Sequence, residues 1–164
     1  MYFSPSQKNL AIMALGEAED CTSKYYCIPP FRWQQVHYDL LTRQDQEWEP
    51  LPDPVLARLQ RFERFSRISK RVLNFYRIQL NDPAILSVAE RDNFESDIYP
   101  FLVFILTHEL VHLVRVSVLS DSSHELSPFP QSEEMRVQLV ANQILSSVNY
   151  PNLKPLFSKY SDIR

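Results

Sequence analysis

Apolar positions along the chain change their spacing several times, and each change marks a candidate element. From Leu56 onward, Leu59, Phe62, Phe65, Ile68, Val72, Phe75 and Tyr76 recur at steps of three and four. That spacing predicts a long amphipathic helix over 55–78. Asp53-Pro54 reads as its N-cap and first helical position, and Asn81-Asp82-Pro83 as the turn that ends it. Residues 84–89 are short and apolar, which fits a buried strand or a helical turn equally well. Residues 31–41 mix aromatic and β-branched side chains and form the best candidate strand.

Pro100 opens the most apolar stretch, 101–119. Its apolar residues surround the whole helical circumference, the pattern of a helix buried on all sides or of a membrane span. His108, Glu109, His112 and Arg115 would be costly inside hydrocarbon, so a buried central helix is expected. After a polar loop over 120–131, Ser132 is the expected cap of a last helix running to about Ser147. At the other end, the apolar run 10–15 is short for an export signal and is followed at once by Glu17, Glu19 and Asp20. It reads as a first helix, with a cytoplasmic location as the default. The pattern as a whole predicts one α+β, helix-rich domain over 1–164, with a buried central helix and a small sheet.

Composition narrows this picture. The chain of 164 residues has one glycine, Gly16, and twelve prolines. No glycine-rich phosphate cradle can be written with one glycine, which excludes the dinucleotide and P-loop nucleotide sites. The deficit also argues against tight hairpins, whose turns favour residues with positive φ. Cys21 and Cys27 match no zinc-ribbon or redox spacing and are expected to be idle thiols. A net charge of −3 gives no overall reason to expect nucleic acid or an anionic membrane. The charge is uneven, however. Seven cations (Arg58, Arg61, Arg64, Arg67, Lys70, Arg71 and Arg77) against Glu63 make 55–78 net +6 and leave −9 for the remainder. The expected basic helix is read first as a solvated face that balances an acidic body, with a dock for an acidic protein or nucleic acid as the functional alternative.

Chemistry is concentrated in the buried segment, which contains His108-Glu109-Leu110-Val111-His112. Histidines at i and i+4 lie one turn apart on one helix face, so both imidazoles can converge on one metal ion. Glu109 projects to the side, where it can reach a water without ligating the metal. This is the H-E-x-x-H arrangement of zinc peptidases. Burying three ionisable groups in an apolar helix is expensive without a charge partner, and a divalent cation removes that cost. A catalytic zinc site takes three protein ligands and keeps one position open. Arg115 and Val118 stand where a metzincin needs glycine and histidine, so that solution is excluded. His124, Glu133 and Glu134 are the remaining candidates for the third ligand. Glu134 is preferred because Gln138, at its i+4 position, is an amide able to hydrogen-bond the outer nitrogen of a ligating histidine. The corresponding residue for Glu133 is Val137.

His108-Glu-x-x-His112 with Glu134 on a downstream helix resembles the gluzincin metallopeptidases, and among them the small ImmA/IrrE-type peptidases. Their E-x-x-A-N-x-F-A stretch is matched here by Glu134-Met-Arg-Val137-Gln138-Leu-Val140-Ala141, with Val137, Gln138 and Val140 in place of alanine, asparagine and phenylalanine. The resemblance covers about residues 101–145. It implies a zincin-like fold and a Zn2+ ion on His108, His112 and Glu134. It also implies a peptide or protein substrate, cleaved by a water that Glu109 deprotonates before protonating the leaving amine. A further donor to the oxyanion is expected, with His124, Tyr150 and Tyr160 as candidates. An edge strand would align the substrate, and 31–41 and 84–89 are the candidates. The rival reading is a non-catalytic metal-binding or partner-binding regulatory protein that uses the basic segment.

Overall fold

The apolar stretch that opens at Pro100 is the helix around which the rest of the chain is built. In the computed structural model, which describes residues 1–45, 55–118 and 130–148, the elements follow in this order. They are α1 (Pro5–Tyr26), α2 (Pro30–Gln35), β1 (Tyr38–Thr42), β2 (Ala57–Ser66), β3 (Arg71–Leu80), α3 (Asp82–Arg91), α4 (Tyr99–Ser117) and α5 (Gln131–Ser146). A single 3-10 turn, Glu95–Asp97, precedes α4. The fold is helix-rich α+β with one three-stranded sheet.

Helix α4 buries 14 of its 19 residues, Phe101, Leu102, Leu106, Leu110 and Leu113 completely. It packs against α1, α5 and β2. The apolar circumference read from sequence therefore faces protein on several sides. Helix α1 presents Ala11, Ala14, Ala18 and Thr22 to the interior, all almost fully buried. Small side chains at steps of three and four let two helices approach closely. Ser4 and Gln7 form a reciprocal capping box at the start of α1, and Pro5 occupies its first turn. Side chains anchor the rest to this helix: Trp33 Nε1 donates to Ser23 Oγ, Tyr38 Oη to Glu19 and Tyr99 Oη to Glu17.

The sheet order is β1-β3-β2, with β1 parallel and β2 antiparallel to the central β3. Arg77 of β3 forms a two-pronged ion pair with Asp39, its neighbour on β1, at 2.9 and 3.0 Å. Asp82 is fully buried, and its carboxylate accepts from the backbone amides of Phe3 and Arg43 at 3.0 and 2.9 Å. It thereby ties the N-terminus and the end of β1 to the start of α3.

Several sequence expectations are overturned. The basic helix over 55–78 does not exist: those residues form the hairpin β2–β3, turning at 67–70. In its base, one face alternates as a strand should, with Leu59, Tyr76, Ile78 and Leu80 buried. In its outer half Phe62 and Phe65 fall on opposite faces, because no core covers that part and nothing enforces a period of two. Apolar residues on both faces mimic helical spacing. Nor does the lack of glycine prevent the hairpin. Lys70 adopts φ 53° in the turn, at a cost of about 1–2 kcal/mol for a side chain in that region. Among the described residues, Cys27 and Asn93 fill the other left-handed positions, whereas Gly16 lies inside α1.

Of the two segments offered as strands, 31–41 is a strand only in part, and 84–89 takes the helical alternative. Pro30 starts a helical turn, so 31–41 divides between α2 and β1, and 84–89 lies within α3. Helix α5 begins at Gln131 with Pro130 as its cap residue, which places Ser132 inside the first turn. The Asp53-Pro54 cap lies outside the described residues.

Candidate metal centre

Helices α4 and α5 run antiparallel, and their contacts pair up in opposite chain order. His108 meets Gln138 and Glu134, His112 meets Glu134, and Arg115 meets Glu133. Between the helices Val111, Val137, Ala141 and Ile144 form a buried apolar seam, against which Cys21 and Tyr26 of α1 also pack. This seam fixes the spacing at which the polar groups meet.

Three ligand atoms converge there. His108 Nε2 and His112 Nε2 are 3.2 Å apart, and Glu134 Oε2 lies 3.0 Å from the first and 3.3 Å from the second. The group can hold a metal ion. A tetrahedral ion with bonds of about 2.0–2.1 Å sets its ligand atoms about 3.3–3.4 Å apart, so the observed triangle fits such an ion with little adjustment. Outer contacts orient the imidazole. His108 Nδ1 is 3.0 Å from Gln138 Oε1, an acceptor, so Nδ1 carries a proton, and Nε2 is the atom that would give up its proton from the Glu134 hydrogen bond to take a metal. Gln138 is fixed in turn by donating through Nε2 to Asn142 Oδ1 at 2.9 Å.

The electrostatics follow from burial and these contacts. Burial pulls the His112 pKa down to about 4 against the pull of Glu134, which keeps this imidazole neutral and able to ligate. For His108 burial also acts downward, but the hydrogen bond to Glu134 and the charges of Glu109 and Glu134 outweigh it and raise the pKa. Burial would raise the pKa of Glu134, yet the two histidine hydrogen bonds hold it well below the usual carboxylate range, so the ligand stays anionic. Glu109 behaves differently. Burial, reinforced by the charge of Glu134 and opposed by His108, pushes it up to about 7. Glu109 is almost fully buried and has no hydrogen-bond partner among the described residues.

Glu133 and Glu134 are separated by about 100° around α5, and the structure gives them different tasks. Glu134 faces the histidines. Glu133 is buried against Arg115, which grips it through Nε and, at 3.1 Å, through Nη2. Sequence reading missed Arg115 as a partner, although a lone cation in so apolar a helix is a signal of a buried acid opposite. It also missed Asn142, which follows Gln138 by one turn. Cys21 and Cys27 are free thiols. Burial, followed by the charge of Glu17, raises the Cys21 pKa, as suits an unreactive packing residue. His124, Tyr150 and Tyr160 lie outside the described residues. Comparison with known proteins found no matching family model, curated protein or solved structure.

Proposed function

We propose that this chain is a zinc-dependent peptidase of the zincin type, with His108, His112 and Glu134 as ligands and Glu109 as general base and acid. One observation carries the reading: a buried carboxylate, raised towards neutrality and without a hydrogen-bond partner among the described residues, stands beside three convergent ligand atoms. Two imidazoles and one carboxylate suit Zn2+, and three protein ligands leave a position open. When bound, the ion supplies Lewis acidity that acidifies water and polarises a carbonyl.

The residues do the rest. Glu109, buried beside the ligands, would accept a proton from the attacking water and return it to the departing amine as the C–N bond breaks. Gln138 and Asn142 hold His108 in the tautomer that ligation needs. Glu134 adds a negative charge that offsets the cation. Strand β2 lies at an edge of the sheet and packs against α4, so it takes the substrate-aligning role expected earlier of 31–41 or 84–89.

A purely structural metal site has no use for Glu109, and this separates the two readings. Glu109→Gln should bind zinc with the parent's stoichiometry while losing hydrolysis of a mixed peptide library by about 100-fold or more. Cleavage at the parent's rate would remove Glu109 from the mechanism. Absence of a metal at near-unit stoichiometry in the purified parent would remove the enzyme reading.

A further inference from the structure

In the outer half of the β2–β3 hairpin, all residues from Arg61 to Asn74 except Ser66 are exposed. From Arg61 to Ser66 the paired strands extend over about 17 Å, at roughly 3.4 Å per residue. Arg61, Arg64, Arg67, Lys70 and Arg71 are all exposed there, against the single acid Glu63. Among them stand exposed apolar side chains. Ile68 at the apex is 98% exposed, and Phe65 and Val72, which face each other across the strands, are 61% and 57% exposed. Leu73, paired with Arg64, is 50% exposed.

The geometry points to this hairpin tip as a docking element for an anionic lipid surface. Ile68, Phe65, Val72 and Leu73 would enter the boundary between headgroups and acyl chains. Arg64, Arg67, Lys70 and Arg71 would meet the lipid phosphates and carboxylates around them. The order of the residues carries the argument. The most exposed apolar side chain is at the apex, the next apolar pair lies a few residues behind it, and cations alternate with them throughout. A surface that is apolar inside and anionic at its rim complements that order. A nucleic-acid backbone would pair the cations but leave Ile68, Val72 and Leu73 without a gain from burial. The acidity of the whole chain does not oppose the contact. At physiological ionic strength charges are screened within about 8 Å, so the contact is governed by the tip's own five cations and one acid.

The test uses the full chain and vesicles of phosphatidylcholine with and without phosphatidylserine, in a co-sedimentation assay. Binding is expected on the anionic vesicles alone and should weaken as salt is raised. Arg67→Ala and Arg71→Ala should each weaken it by about fivefold, and Ile68→Asp should abolish it. Because Ile68 is exposed, Ile68→Asp should keep the parent's circular dichroism and melting curve. Ile68→Trp adds a direct readout of depth, since its fluorescence should shift to the blue only on anionic vesicles. Failure to bind either vesicle, equal binding to both, or undiminished binding by Ile68→Asp would overturn the proposal. So would a dimer or a complex with duplex DNA that Ile68→Asp dissolves while the vesicles stay unbound, because each reassigns the tip to another partner. No arm of the experiment reads hydrolysis, so its outcome is independent of the peptidase reading.

Discussion

At the α4–α5 interface Arg115 is folded onto Glu133, and Glu134 onto two imidazoles, all largely removed from water. At the hairpin tip Arg64, Arg67, Lys70 and Arg71 stand in solvent beside exposed Phe65, Ile68 and Val72. The two regions use the same side-chain types under opposite conditions. Charges at the interface are desolvated, so each needs a partner in a set geometry, and the apolar seam beside them supplies that geometry. Charges at the tip keep their hydration and impose no geometry. Burial thus turns a charge into a structural constraint, and its absence leaves the charge available to an outside partner.

The contrast can be tested most severely at Arg115. Arg115→Met should leave the Glu133 carboxylate buried without its main partner and cost about 3–5 kcal/mol in denaturant unfolding. Adding Glu133→Met should recover most of that loss; failure to do so would mean that the pair does more than neutralise itself. Next in size is the outer contact of His108. Gln138→Ala should weaken zinc binding by about 10–100-fold in a competition titration while the fold persists.

A pH measurement sharpens the same comparison away from the centre. Burial, and then the hydrogen bond to Glu19, raise the Tyr38 hydroxyl well above its usual pKa. The folded chain therefore keeps a proton that the unfolded chain loses above about pH 10. Stability from this group is complete below that value and falls as pH rises further, by about 1.4 kcal/mol per unit. Tyr38→Phe should show a correspondingly shallower loss between pH 10 and 11. The smallest effects belong to positions without neighbours. A Cβ at Gly16 would meet nothing within 4 Å, so Gly16→Ala should stabilise α1 by about 0.5–1 kcal/mol. In thermal melts this appears as a small rise in midpoint.

The buried helix and its histidine pair were legible without coordinates, for a local reason. Helical hydrogen bonds and helix faces depend on neighbours three and four residues away, so the apolar circumference of α4 and the shared face of His108 and His112 are written in one continuous segment. Preference for Glu134 over Glu133 also came from a local feature, the amide one turn further on. The α+β character and the small sheet were expected too, and the candidate strand 31–41 overlaps β1 at 38–41, but β2 and β3 were not expected as strands. The hairpin was read as a helix because Phe62 and Phe65, lying on different strand faces, copy helical spacing. The alternation of Tyr76, Ile78 and Leu80 was a contrary signal too short to prevail.

By itself, the sequence determined one apolar helix, two metal-capable histidines on one of its faces, and a carboxylate between them. Tertiary structure decided the rest. It selected β3 as the strand that β1 and β2 both pair with, gave Arg115 to Glu133, and brought Glu134 within 3.3 Å of both histidines. Those outcomes join segments up to tens of residues apart, and a ladder partner or a buried ion-pair partner is chosen by packing across that distance. Periodicity within a segment carries no record of it.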